Sequence, residues 1–314
     1  MKIKKAVITA AARGSRIYPV ADTVQKAMLP IIDKDGIHKP IIQIIAEEAF
    51  NSGIEEICIV CAPGDDERYI SNFNTLRNAI HYSPMNEEEK RKQSASIKNF
   101  LDRVNFAVQR EALGYGDAVY KAKSFVGNDS FLLLTGDYLY NSYIDNTPCA
   151  KQLIDLAESE NCPVSAVNQT HEHLITKYGT LTGKSLIKRQ GAFQIEKIIE
   201  KPSVTQAELE LQTPGLKTGN YLCFFGMSVF VPYLFDLLED YIAHNSVKVI
   251  LLTPVLQKLA ETEQYLALEI QGNRYDTSKK LGLIQAQLAL ALAGSIKEEL
   301  LSIIVETMGE RLSR

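Results

Sequence analysis

The chain has 314 residues, with 34 Lys+Arg against 38 Asp+Glu and a formal net charge of −4. A hydrophobic share of 46% and a charged share of 23% fit a folded chain with a large core and exclude extended disorder. The near-balanced charge excludes a basic face that coats nucleic acid, and no apolar run reaches the roughly 18 residues of a membrane span; the longest candidate, Tyr221 to Phe235, is broken by Gly226, Ser228 and Pro232.

Lys2, Lys4 and Lys5 ahead of Ala6 to Ala12 imitate a secretory leader, but Arg13 and Arg16 follow at once. The segment reads as a buried first strand, Lys5 to Thr9. Pro40 opens a helix that runs through Asn51 and stops at Ser52-Gly53. Ile54 to Cys61 reads as a second strand. It contains two of the five cysteines, Cys58 and Cys61, whose spacing of three puts their side chains on opposite faces. With Cys149, Cys162 and Cys223 the count is odd and has no disulfide framework, so reduced thiols in the cytoplasm are expected. Asp65 to Arg103 is polar and helical, with Glu87 to Lys92 as a solvated face. Val104 to Val108 and Phe131 to Leu134 are further strands, flanking a helix over Asp117 to Ser124. This alternation predicts a parallel sheet covered on both faces.

The second half begins with a helix over Ala150 to Glu160 and a strand over Pro163 to Val167. Short β segments follow at Tyr178 to Leu181, Ala192 to Glu200 and Tyr221 to Phe225, read as an antiparallel insertion. Helices are expected over Val231 to Ala243 and Thr253 to Glu263. A strand over Tyr265 to Ile270 precedes two long helices, Lys279 to Ala293 and Ser295 to Leu312.

Several residues could carry chemistry. In the turn Ala10-Ala11-Ala12-Arg13-Gly14-Ser15-Arg16, small residues let backbone N–H groups approach phosphate oxygens, and Arg16 adds fixed positive charge. Neither a dinucleotide fingerprint nor a P-loop is present. Lys26, before Ala27-Met28-Leu29-Pro30, has a stem suited to packing and a head free to serve a site. The amide of Gln109 offers both donor and acceptor, as a pyrimidine edge requires, and Gly114 and Gly116 leave room for a ligand against the backbone. Asp137 ends the most apolar strand, the edge of an open α/β sheet where ligands bind. With Asp276 as a second carboxylate it suits Mg2+. Either aspartate could equally cap a helix. In Glu200-Lys201-Pro202 the carboxylate can accept from sugar hydroxyls while the lysine faces the other way. His171 and His173 form an H-x-H pair without further metal spacing.

Taken in order, Arg16, Lys26-x-Met28-Leu29-Pro30, Gln109 with Gly114-Tyr-Gly-Asp-Ala-Val119, Gly136-Asp137, Tyr178-Gly179, Glu200-Lys201-Pro202, Gly219-x-Tyr221 and Tyr275-Asp276-x-x-Lys279-Leu-Gly282 resemble the sugar-1-phosphate nucleotidylyltransferases. Within that family they are most similar to the bacterial UTP–glucose-1-phosphate uridylyltransferases, over about residues 3 to 290. The polar stretch Phe73 to Val104 resembles the helical insertion of that group.

The resemblance implies an α/β fold: a single nucleotide-diphospho-sugar transferase (Rossmann-like) domain with a mixed, mainly parallel central sheet, a small antiparallel sugar-side insertion and C-terminal helices. Residues 1–276 would form the catalytic domain, with the helical insertion at about 65–103 and the sugar-binding part at about 168–230. Residues 277–314 would form a helical tail and a possible oligomer contact. Ala11, Ala12, Gly14 and Ser15 would wrap the triphosphate, with Arg16 and Lys26 on its phosphates. Gln109 and Gly114 would read the uracil. Glu200, Gly179 and Gly219 would bind the hexose, Lys201 the sugar phosphate, and Asp137 with Asp276 a Mg2+ ion. The implied partners are UTP and a hexose-1-phosphate, in a homodimer or homotetramer.

The sequence departs from the family pattern at Ala12 and Ser15 in the turn, at Ala27, at Ser203, over Val249 to Pro254 and at Ser278. Two alternatives therefore stay open beside uridylyl transfer: another base or sugar, such as dTTP or GTP, and a nucleotide-sugar-binding regulatory paralogue with weak turnover.

Overall fold

The computed structural model describes residues 1–12, 23–244 and 249–312. Strand β1 (Lys5–Thr9) is followed by a hairpin, β2 (Pro30–Ile32) and β3 (His38–Pro40), and by α1 (Ile41–Phe50). Strand β4 (Glu56–Cys61) leads into α2 (Asp65–Ala79) and α3 (Glu87–Arg103), then β5 (Val104–Val108), α4 (Tyr115–Tyr120), α5 (Lys123–Val126) and β6 (Phe131–Thr135). Next come β7 (Tyr138–Ser142), α6 (Cys149–Glu160), β8 (Val164–His171) and α7 (Glu172–Ile175). The antiparallel pair β9 (Gly179–Ser185) and β10 (Ala192–Glu200) precedes α8 (Val204–Glu210) and the long β11 (Asn220–Phe230). Helices α9 (Tyr233–His244) and α10 (Thr253–Thr262), strands β12 (Leu266–Glu269) and β13 (Gly272–Asp276), and helices α11 (Gly282–Leu292) and α12 (Lys297–Leu312) complete the described chain.

Nine strands form one mixed sheet in the order β5-β4-β1-β6-β11-β8-β12-β10-β9. Its first four strands are mutually parallel. Strand β11 runs antiparallel to β6 and β8, and β10 antiparallel to β12 and β9. The second-half strands expected as a separate insertion thus extend the main sheet, and β9 also pairs with β11.

Both faces are dry. Ala6 and Ile8 enter one core layer and Val7 the other; Ile57, Ile59 and Cys61 separate in the same way from Cys58 and Val60. That alternation is what a strand buried on both faces requires. The two cysteines thus face opposite layers. All five cysteines are free and buried.

Local signals account for the helix starts. Asn86 and Glu89 form a reciprocal capping box at the start of α3, and Pro254 sits in the first turn of α10. The charged run Glu87 to Lys92 forms the first turns of α3. A two-stranded ribbon, β7 with β13, was not read from the sequence. It sets Asp276 opposite Tyr138, beside the end of β6. Helix α11 packs into the core through Ala286 and Leu290. Helix α12 has no fully buried residue between 297 and 310 and exposes Leu301, Ile303, Val305 and Met308.

Candidate active site

The parallel strands β1 and β6 end side by side, Thr9 opposite Thr135. Beyond them, Gly136 N–H donates to the Thr9 carbonyl at 2.9 Å and delivers Asp137 to the carboxyl edge of the sheet. Lys26 reaches the same point from the short helical turn Lys26–Met28. Its Nζ lies 2.8 Å from Asp137 Oδ2, with only 8% of the lysine side chain exposed. Thr9, Ala10, Ala12, Gln25 and Arg68 line the adjoining cleft. Ala11 lies between Ala10 and Ala12 in the same turn. Arg16, Gly14 and Ser15 lie outside the described residues.

The ribbon supplies the second carboxylate. Thr277 donates from both its N–H (2.9 Å) and its hydroxyl (2.8 Å) to the Asp137 carbonyl. Asp276 is thereby placed next to the end of β6. Its Oδ1 accepts from the N–H and the hydroxyl of Ser278, and its Oδ2 lies 3.3 Å from Lys279 Nζ. Lys279 also donates to the Tyr178 hydroxyl at 2.6 Å, and the Arg274 guanidinium covers the Tyr178 ring at 4.2 Å. These contacts tie the Asp137–Asp276 corner to β9.

On that side, Glu200 pairs with Gly179 across β10 and β9. A Cβ on Gly179 would sit 3.1 Å from Glu200 Oε2 and 2.9 Å from the Phe224 ring, so glycine makes space for the carboxylate. Thr253 donates to Glu200 Oε2 at 2.8 Å.

Strand alternation predicts that Lys201 points away from Glu200. Instead Lys201 has a left-handed backbone, φ +46°, and its N–H donates to the Tyr178 carbonyl at 3.2 Å. That turn brings Lys201 Nζ to 3.3 Å from Glu200 Oε1. A non-glycine residue in this region costs about 1–2 kcal/mol, a strain found at functional sites.

Gly219 is placed elsewhere. It precedes β11 next to Glu172 and His171, whereas Gly179 packs against Phe224, five residues further along, or about 16 Å of strand. His171 and His173 share one exposed contact between their Nδ1 atoms, 2.8 Å apart.

The turn expected to read a base is rigid. Gln109 donates from its amide to the Gly114 carbonyl at 3.0 Å and to buried Asp117 at 2.8 Å. Both amide hydrogens are thereby committed, and the amide orientation follows because both partners are acceptors. Gln109 is left with its carbonyl oxygen as its free group, an acceptor only. Gly114 has φ +109°, and a Cβ there would lie 2.6 Å from the Ile250 carbonyl; one on Gly116 would strike the Ile250 side chain at 2.8 Å. The space these glycines open is therefore filled on that side by the chain itself. The segment that departs from the family pattern clamps the turn through backbone bonds, Gly116 N–H to Ile250 O and Ile250 N–H to Leu113 O. Its side chains are not needed for that contact.

The residues present fit a hydrated divalent cation. Two aspartates stand at one corner. Gln25 Oε1, lining the cleft beside Asp137, is a buried acceptor without a partner, suited to a metal-bound water. Among the described residues no group of three or more His, Cys, Asp or Glu forms a closed metal site. The non-glycine residues described with left-handed backbone are Asn146, Asn161 and Lys201. Ala12, in the turn expected to wrap phosphate, is free of that strain.

The sequence reading gave no role to Thr253, Thr277, Asp117, Tyr178 or Lys279. Asp117, Tyr178 and Lys279 stand within the motifs that carry the resemblance, so their signal was present in the sequence. Thr253 and Thr277 are fixed by contacts between distant segments.

Comparison with known proteins identifies the family. A family model described as nucleotidyl transferase matches residues 5–291. The UTP–glucose-1-phosphate uridylyltransferase 1 of Streptococcus pyogenes serotype M3 is 32% identical over 322 residues, covering 100% of this chain and 97% of that protein. The UTP–glucose-1-phosphate uridylyltransferase of Staphylococcus epidermidis is 32% identical over 300 residues, covering 93% of each. The UTP-bound UGPase of Acinetobacter baumannii superposes with a TM-score of 0.77 at 26% identity, over 97% of this chain and 99% of that one. A UDP-glucose pyrophosphorylase complexed with UDP-glucose superposes at 0.72 with 25% identity, over 91% and 98%. This chain therefore belongs to the nucleotidyl transferase family and is an enzyme of that class, similar to the UTP–glucose-1-phosphate uridylyltransferases.

Proposed function

We propose that the enzyme transfers the uridylyl group of UTP to a hexose-1-phosphate, glucose-1-phosphate in the first instance, releasing pyrophosphate. The observation that carries this reading is the continuous line of contacts from Lys26–Asp137 through Thr277, Asp276, Lys279 and Tyr178 to Lys201–Glu200, and on through Thr253 towards the Gln109 turn. This line supports reading these residues as the phosphate-binding, sugar-binding and base-reading groups of one site.

The chemistry asks little beyond positioning. The sugar-phosphate oxygen is already an anion and attacks the α-phosphorus of UTP. The bond from that phosphorus to the bridging oxygen breaks, and the electron pair leaves with pyrophosphate. No general base is required; alignment and charge neutralisation dominate. Lys26 serves the triphosphate and Lys201 the sugar phosphate. Arg16 and the turn of Ala11, Ala12, Gly14 and Ser15 complete the phosphate cradle, and Glu200 and Gly179 address the hexose, with Gly219 standing apart from them beside Glu172. Asp137 and Asp276 are the residues that would hold Mg2+, which supplies charge compensation to phosphate oxygens when bound.

The Gln109 oxygen, as an acceptor, suits the N3–H of uracil or thymine and the N1–H of guanine. It cannot pair with the N3 of cytosine or the N1 of adenine, themselves acceptors, and would meet those bases only through their exocyclic amino groups. A thymidylyl or guanylyl specificity therefore remains the second reading. Five buried, unpaired thiols support a cytoplasmic setting. No described helix is long and apolar enough to cross a membrane. We read residues 1–276 as the catalytic unit and 277–314 as the tail, whose exposed Leu301, Val305 and Met308 suit a contact between copies in a homodimer or homotetramer.

The test is pyrophosphate release across five nucleoside triphosphates, each with glucose-1-phosphate and other sugar-1-phosphates. Release with UTP, and none with CTP or ATP, is the expected result. No release with any pair contradicts the proposal.

A further inference from the structure

We propose that Lys279 and Tyr178 are positioning residues for the acceptor substrate, forming a bridge that holds Lys201 in its working conformation. This inference rests on the uridylyl transfer proposed above, with Lys201 as the sugar-phosphate lysine.

Lys201 is one of three described non-glycine residues with a left-handed backbone, φ +46°. Without that turn, strand alternation would direct its ammonium away from Glu200. The backbone contact that secures it is the Lys201 N–H donating to the Tyr178 carbonyl at 3.2 Å. Tyr178 lies in the short link between α7 and β9, so its own position needs support from outside that link.

The support comes from the far side of the cleft. Lys279 Nζ donates to the Tyr178 hydroxyl at 2.6 Å and lies 3.3 Å from Asp276 Oδ2, and Arg274 stacks on the ring at 4.2 Å. One Arg274 guanidinium nitrogen is buried with no hydrogen-bond partner. Ring stacking is therefore the contact that occupies that face. The Lys279 ammonium is part-buried, with 35% of its side chain exposed. A cation that donates to a phenol while paired to a carboxylate fixes the ring in both distance and direction.

The bridge thus runs Asp276–Lys279–Tyr178–Lys201. It links the corner that serves UTP to the lysine that serves the sugar phosphate. Lys279 need not touch either substrate. Its loss should be felt by the substrate that depends on Lys201 and spare the nucleotide.

A double-mutant cycle tests this. Lys279→Met and Tyr178→Phe are each expected to raise the KM for glucose-1-phosphate about fivefold, the effect of one well-placed hydrogen bond. The KM for UTP should stay within about twofold. Because both changes break the same bond, the double variant should be no worse than the worse single one. Lys279→Arg, which keeps the charge and a donor, should recover most of the loss. A glucose-1-phosphate KM unchanged in both singles, an equal loss on UTP, or additive effects would overturn the bridge.

Hydrogen exchange at the Lys201 amide is read on the same proteins without substrate. Faster exchange in Lys279→Met and Tyr178→Phe is expected, and unchanged exchange overturns the inference. Wild-type protein that turns over no substrate pair would count against the proposed function, while the exchange measurement would still decide the bridge.

Discussion

Each lysine around the cleft rests against a carboxylate: Lys26 on Asp137, Lys279 on Asp276 and Lys201 on Glu200. Such pairs add little to stability, because desolvation offsets much of the attraction. Their use is to hold cationic heads in place before two polyanions arrive. Removing either end of the line should then hurt turnover more than folding. Asp137→Ala and Lys201→Ala are each expected to lower kcat/KM well over tenfold, or at least about 1.4 kcal/mol in transition-state binding. Near-wild-type rates in pyrophosphate release would remove those assignments. Gly179→Ala is the complementary test. Its Cβ would crowd Glu200 Oε2 at 3.1 Å and the Phe224 ring at 2.9 Å. The expected result is a KM for the sugar phosphate raised about tenfold with the UTP KM little changed, measured in the same assay.

At the scale of elements, much of the fold was legible. The strand over Val104–Val108 and the one over Ala192–Glu200 match the sequence reading residue for residue, because both are runs with β-branched and aromatic residues bounded by polar or glycine-containing links. The β7–β13 ribbon was not legible. Its strands are short, part polar, and defined by pairing across some 130 residues, a contact that no local pattern encodes. The placement of Lys201 was missed for a related reason: its left-handed backbone is imposed by Tyr178, not by its own residue type.

Helix packing supplies a pH dependence at this scale. The N-terminus of α6 has no cap of its own; Glu48 of α1 accepts from the Ala150 N–H at 2.9 Å instead. Burial pushes the Glu48 carboxyl up to about 7. A carboxyl raised in the folded state gives up its proton more readily when unfolded. Its burial therefore costs nothing below its ordinary range, costs progressively more as pH rises towards 7, and a constant amount above that. Glu48→Gln keeps an acceptor for α6 and removes the titration. Chemical denaturation should find the variant more stable than wild type at pH 8, by at most about 3 kcal/mol, with the gap closing towards pH 4. A gap that does not change with pH would contradict this account.

For the whole molecule, the balanced charge takes on a definite meaning. A net charge of −4 excludes a broad basic face, yet the proposed substrates are polyanions. The structure offers a local answer: one line of contacts joins Lys26, through Asp137, Thr277 and Asp276, to Lys279, Tyr178 and Lys201, drawing residues from the ends of β1, β6, β9, β10 and β13. The order of the motifs along the chain was readable, but their convergence depended on sheet order and on the ribbon. The central claim is that this cleft joins UTP to a sugar phosphate. Its most direct measurement is the product spectrum of the wild-type enzyme with UTP, glucose-1-phosphate and Mg2+, followed by 31P NMR. The account predicts UDP-glucose and pyrophosphate appearing in equal amounts, and loss of both signals in Lys201→Ala; UTP left intact, or pyrophosphate formed without a UDP-sugar, would contradict it.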